Sequence, residues 1–194
     1  DLQTVSADRA EAELFRVCGE AHPARALTLL EDWELVHLAE GSVARAESVG
    51  RLLTQPPWSE EVDPALTVYA ASFGHGPGKA GTLVDLRAAA DRLAAERPDR
   101  PSEAVAFAAG RGPVELALAR AAGAEWLDDY VRTWREVRLD VSGEDLIAAG
   151  VEEGPRVGRG LEAALAAKLD GRVTGREAEL AAALQAARGE DEAR

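Results

Sequence analysis

The residues best placed for chemistry lie in the last third of the chain. Ser142-Gly143-Glu144-Asp145 can open a short helix that Gly150 ends, Gly154-Pro155 makes a tight turn, and Arg156, Gly158 and Arg159 follow at the start of a new Ala/Leu-rich helix. Proline suits the first position of a helix, and the amides there carry the positive end of the helix dipole, so such a turn can face a phosphate. Residues 154 to 176 carry five cations (Arg156, Arg159, Lys168, Arg172, Arg176) against two anions (Glu162, Asp170), a local +3. A plain helix-turn-helix joint with glycines for close approach accounts for the same pattern, and both readings stand at this point.

A second group of cations is Arg132, Arg135 and Arg138, three residues apart in a segment expected to be helical from Ala124 to Arg138, which also bears Tyr130 and Trp134. Cations beside aromatics suit an RNA backbone and stacked bases. Asp128, Asp129 and Glu136 are close enough in sequence to pair with these arginines instead. Arg9 and Glu13, four residues apart, read on their own as a surface ion pair.

Other chemistries find no support. Phe73-Gly-His-Gly-Pro-Gly78-Lys79-Ala80 departs from a phosphate loop at both ends, with Phe73 in place of Gly and Ala80 in place of Ser or Thr, after a segment that reads as helix. It is expected to be an interhelical loop. The single Cys18 gives no disulfide framework, sits on an apolar helix face where burial keeps a thiol inert, and shares no metal-ligand spacing with His22, His37 or His75. No metal site is expected.

The elements that must position these residues are helical throughout. Apolar side chains recur at helical spacing over about 7–20, and from Pro23 through Trp33; Ser42 can cap a helix to about Leu53; Asp63-Pro64 pairs an N-cap with proline and opens a helix to Phe73. Further helices are expected at about 82–96, 103–109 and 114–121, and a last one behind the capping box Thr174-x-x-Glu177, with 189–194 frayed. The expectation is an all-α, elongated array of about ten helices in three parts: 1–55, 56–138 and 139–188. The chain has 194 residues, 46% apolar, a net charge of −13 and no apolar run long enough to span a membrane, which reads as a cytoplasmic fragment or processed piece. So acidic a chain repels nucleic acid at long range, which confines any RNA contact to the basic stretch.

Several stretches resemble bacterial CCA-adding enzymes and poly(A) polymerases, template-independent nucleotidyltransferases built from a catalytic head followed by helical neck, body and tail. Val5-Ser-Ala-Asp-Arg9-Ala-Glu-Ala-Glu13-Leu14 is similar to the neck motif and Ala26–Val36 to the helix after it, with Trp33-Glu34 where the family usually has Gly. Trp134-Arg-x-Val-Arg138, Gly143-Glu-Asp-Leu146 with Gly154-Pro-x-Val-Gly158, and Arg176-Glu177 resemble the tail, although Asn is more usual where Thr174 or Gly175 falls.

The resemblance implies a role in tRNA 3'-end processing: gripping the acceptor and TΨC arms of tRNA by shape, with Gly154, Arg156, Gly158, Arg159, Lys168, Arg172, Arg176, Arg132, Arg135 and Arg138 on the RNA side and Arg9 and Glu13 bracing the neck. It implies the catalytic head as partner, with a homodimer as a further option, and a transferase parent that adds CCA or A using Mg2+ and CTP or ATP. The head's Asp-x-Asp metal pair does not occur in this sequence, so these 194 residues alone are expected to be inactive. Asp128-Asp-Tyr-Val-Arg132 imitates the family's base-selecting motif but comes too late in the chain. A helical module that docks another protein and never meets RNA is the competing expectation.

Overall fold

A computed structural model describes residues 7–77 and 85–189, and over these the protein is all-α, with twelve α-helices and no strand. The helices are α1 (Ala7–Cys18), α2 (Pro23–Asp32), α3 (Ser42–Leu52), α4 (Trp58–Glu61), α5 (Pro64–Phe73), α6 (Leu86–Ala95), α7 (Pro101–Ala108), α8 (Pro113–Ala121), α9 (Leu127–Arg132), α10 (Gly143–Ala148), α11 (Pro155–Leu169) and α12 (Arg176–Arg188). None of the described helices is long and apolar enough to cross a membrane. Val5 and Ser6 of the neck motif, Gly78 to Val84, and 190–194 lie outside the described residues.

The chain divides into two compact units, one of Asp1–Arg97 with Ala108–Asp128, the other of Pro98–Phe107 with Asp129–Arg194. The expected breaks near 55 and 138 do not coincide with this division. Helix α3 packs on both α2 and α5, so the segments on either side of Gln55-Pro56-Pro57 share one core.

The first unit is organised around α5, buried from Thr67 to Ser72 because its sequence is apolar on nearly every side. Asp63 caps it as expected, its Oδ1 accepting from the Leu66 N–H at 2.7 Å, and Pro64 takes the first position. Leu27, Val49, Trp58, Leu93, Leu116 and Leu118 complete the core from α2, α3, α4, α6 and α8. Tyr69 stacks near Phe15 and Phe73, with centroids 5.9 and 4.6 Å away, and its hydroxyl donates to Glu11 Oε1 at 3.2 Å. Burial, reinforced by Glu11, pushes the Tyr69 phenol up to about 12. Cys18 is buried as its apolar face demands, and burial pushes its thiol up to about 12, well away from reactivity.

Three local expectations are corrected. Ser42 is not the cap of α3: Gly41, at φ 77°, takes that position, while the buried Ser42 hydroxyl donates to Ser72 O at 2.8 Å and accepts from Arg87 at 2.8 Å. Thr174 does not cap α12, because Gly175 (φ 84°) is the N-cap and the chain enters the helix with no side-chain cap bond. The helix expected over 124–138 ends at Arg132; a 3-10 turn, Trp134–Glu136, follows, and Val137 is extended. β-Branched Thr133 and Val137, both costly in a helix interior, stand at the two ends of that turn.

At the end of α2 the absent glycine proves unnecessary. Glu34 itself takes the left-handed conformation, φ 56°, with its N–H on Glu31 O at 2.9 Å and the Leu35 N–H on Leu30 O at 2.9 Å. This is the pair of bonds that closes a Schellman turn, made here at the strain of a non-glycine residue.

Candidate nucleic-acid interface

All ten candidate RNA-facing residues lie in the second unit, whose core is a three-helix assembly of α10, α11 and α12. Leu146, Val151, Ala164, Ala183 and Ala187 form its buried centre, with Leu139, Val157, Leu161, Leu180 and Leu184 packed around them. Helix α10 starts at Ser142, whose backbone N–H donates to Asp145 Oδ2 at 2.8 Å and whose hydroxyl donates to the same oxygen at 3.1 Å. Those bonds, with Arg176 2.6 Å from Asp145 Oδ1, hold the Asp145 carboxyl below its usual range. The helix closes as its glycine predicts: Gly150 sits at φ 93°, its N–H on Ile147 O at 2.9 Å, and the Val151 N–H reaches Leu146 O at 3.0 Å.

The turn then runs through Gly154, at φ 148°, a conformation closed to residues with a side chain, and Pro155 starts α11. The three glycines of this stretch separate by role. At Gly160 a Cβ would lie 2.7 Å from Ala183 O and 2.9 Å from Leu146 Cδ2, so this is where α11 meets α12 and α10. Gly154 is required by its backbone angle. Gly158 is required by neither, since it is exposed and a Cβ there would meet nothing within 4 Å. Within the turn the Val157 N–H is already taken by Gly154 O at 3.1 Å.

The basic stretch does not form one patch. Arg156 and Arg159 sit in the first turns of α11, Arg156 half-buried and Arg159 exposed. Lys168 lies twelve residues beyond Arg156 on the same helix, about 18 Å at the helical rise. There it is held by carboxylates: its Nζ is 2.7 Å from Glu179 Oε1 and 3.2 Å from Asp140 Oδ2, and Glu179 above all, then Asp140, holds the ammonium above its ordinary pKa. Arg172 pairs with Asp170 at 3.2 Å, and Arg176 donates to Asp140 O at 2.5 Å besides reaching Asp145. Burial by itself would raise the Asp170 carboxyl, but the Ser102 N–H and hydroxyl, both at 3.0 Å, with Arg172 and Arg100, outweigh it and hold it below the ordinary value.

Arg132, Arg135 and Arg138 fall on three different pieces of backbone: the last turn of α9, the 3-10 turn and the extended segment after it. The common helical arc expected for them is absent. Arg135 and Arg138 both approach Glu136, at 3.5 and 3.8 Å, and Arg138 also donates to Arg135 O at 2.6 Å. Arg138 stands at a groove of about 460 Å³ lined by Leu139, Val141, Leu161, Glu162 and Leu165.

In the first unit, Glu13 pairs with Arg16 at 2.8 Å, on the same exposed face of α1 that carries Arg9. Asp128, first residue of the base-selecting look-alike, has a structural occupation: it accepts from Trp58 Nε1 at 2.7 Å and from Arg120 through two bonds of 2.9 Å. Among the described residues no group of three or more His, Cys, Asp or Glu could hold a metal ion.

Sequence reasoning missed that Asp140, Asp145, Asp170 and Glu179 are the carboxylates that engage the basic stretch. Three of their pairings, Asp140 with Lys168, Asp145 with Arg176 and Asp170 with Ser102, span 28 to 68 residues and leave no local spacing to read. No family model, curated protein or solved structure matches the chain.

Proposed function

We propose that the second unit grips structured RNA by shape, at the phosphates of a tRNA acceptor or TΨC arm, as the tail of a CCA- or A-adding nucleotidyltransferase would. The observation that carries this reading is the state of Gly158. It lies in the second turn of α11 between Arg156 and Arg159, exposed, with neither a packing neighbour nor a strained backbone angle to account for it. A glycine costs a helix interior about 1 kcal/mol relative to alanine, and close approach of a ligand backbone is a use that repays it. The proposal assigns these residues gripping and no part in nucleotide transfer. Mg2+, CTP and ATP belong to the head that the resemblance implies.

A second reading has its own support. Lys168, Arg172 and Arg176 are engaged by Glu179, Asp140, Asp170 and Asp145, and the whole chain carries −13, both of which favour a helical module that docks a protein and leaves RNA alone. Titration with tRNA at several salt concentrations separates the two. RNA gripping requires salt-sensitive binding, and changing Arg156 and Arg159 together to Glu should weaken it and flatten the slope of log affinity against log salt by about one to two units. The control is Arg25 with Arg51, both exposed on the first unit, changed to Glu. Equal loss in the two double variants, or none in either, would overturn RNA gripping at this turn and leave the protein-docking reading standing.

A further inference from the structure

Three of the four large apolar side chains left exposed among the described residues gather where α2 ends: Leu29 at 42%, Trp33 at 65% and Leu35 at 45%. Leu29 and Trp33 are four residues apart and share one face of the helical backbone, the Trp33 N–H bonding Leu29 O at 3.1 Å; Leu35 follows directly after the left-handed Glu34. The strain at Glu34 is therefore spent on the turn that carries Trp33 and Leu35 on its two sides. The same stretch of chain carries Glu31, Asp32, Glu34 and Glu40, all exposed, with His37 the only other titratable group between Glu31 and Glu40 and a single cation, Arg25, one turn before Leu29 on its face of α2; no ion pair to any of the four carboxylates is found among the described residues.

We propose that this surface docks a cationic amphipathic segment of another protein. The apolar trio supplies the buried contact, and a tryptophan is the side chain most often at the energetic centre of such contacts. The charge selects the occupant. Four carboxylates repel an RNA backbone, an anionic lipid surface and an equally acidic second copy of this chain, while a helix bearing Lys or Arg beside Leu satisfies both the apolar face and its rim. Trp33 adds the option of a cation over its indole ring. The proposal concerns the first unit alone and does not depend on RNA binding by the second.

The test uses the full chain and two synthetic peptides of identical Leu and Lys composition, one ordered as an amphipathic helix and one scrambled so that it has no apolar face. Calorimetry is expected to show saturable binding of the ordered peptide that weakens with salt, and at least about tenfold weaker binding of the scrambled one. Trp33→Ser, at an exposed position that should not affect folding, is expected to cost about tenfold or more. So is the pair Glu31→Lys with Asp32→Lys, whereas Glu152→Lys with Glu153→Lys, exposed in the second unit and identical in charge change, should leave affinity within about twofold. The proposal is overturned if the ordered peptide does not bind, if the peptides bind alike, if both charge reversals weaken binding equally, or if Trp33→Ser instead abolishes self-association of the chain.

Discussion

Lys168 Nζ lies 2.7 Å from Oε1 of Glu179, a carboxylate with no exposed surface, and this pair ties the far end of α11 to the first turns of α12. The other Glu179 oxygen accepts from the Asp140 N–H at 2.6 Å, so one buried side chain joins both helices to the strandless segment that leads into α10. A buried carboxylate is stable only while it is partnered, which makes Lys168 a structural residue first.

Replacing Lys168 with Met should therefore lower the urea midpoint more than replacing Arg159 with Met does. The Lys168 pKa is raised in the folded chain, chiefly by Glu179, so its contribution is complete below the ordinary lysine value of 10.5 and disappears as pH climbs through the folded value. Unfolding titrations across the alkaline range should show the gap between the wild-type chain and Lys168→Met narrowing with rising pH. A constant gap would mean that the side chain stabilises through its methylenes alone.

The two glycines within α11, Gly158 exposed and Gly160 buried, should respond in opposite directions. Gly160→Ala places a Cβ against Ala183 O and Leu146 Cδ2 and should cost about 1–3 kcal/mol of stability. Gly158→Ala meets open space and should gain about 0.5–1 kcal/mol. If RNA approaches the backbone at Gly158, the same stabilised variant should bind tRNA more weakly, which separates function from folding in one protein.

Asp128→Ala removes the acceptor of the Trp58 indole and of Arg120 at once. Trp58 is 2% exposed, so its N–H has no water to turn to, and the loss should be about 1–3 kcal/mol by denaturant unfolding. A change near zero would free Asp128 for a role outside the core.

Glu34→Gly should stabilise the chain by about 0.5–1 kcal/mol, the left-handed strain relieved less the entropy a glycine adds to the unfolded state. Thermal melts of the single variant check this. A destabilised variant would show that the Glu34 side chain makes a contact worth more than its backbone strain.

The all-α class was legible because it rests on short-range signals: apolar periodicity, Asp63-Pro64 at one helix start, Gly150 and Gly154-Pro155 at the hairpin. Each of these acts within a few residues, where backbone sterics and local hydrogen bonds decide the outcome. The break after Arg132 was not legible, since a run of helix-compatible residues from Ala124 to Arg138 carries no proline or glycine to stop it.

The candidate interface divided in the same way. Sequence alone placed Arg156, Gly158 and Arg159 together, because they share two turns of one helix. Whether Lys168, Arg172 and Arg176 were available to an anion depended on Glu179, Asp140, Asp170 and Asp145. The distinction between Gly160, spent on helix packing, and Gly158, left open, depended on where Ala183 and Leu146 fall. Those answers come from groups brought together across turns and between helices, where packing chooses the partners of a charge, and only the tertiary structure records that choice.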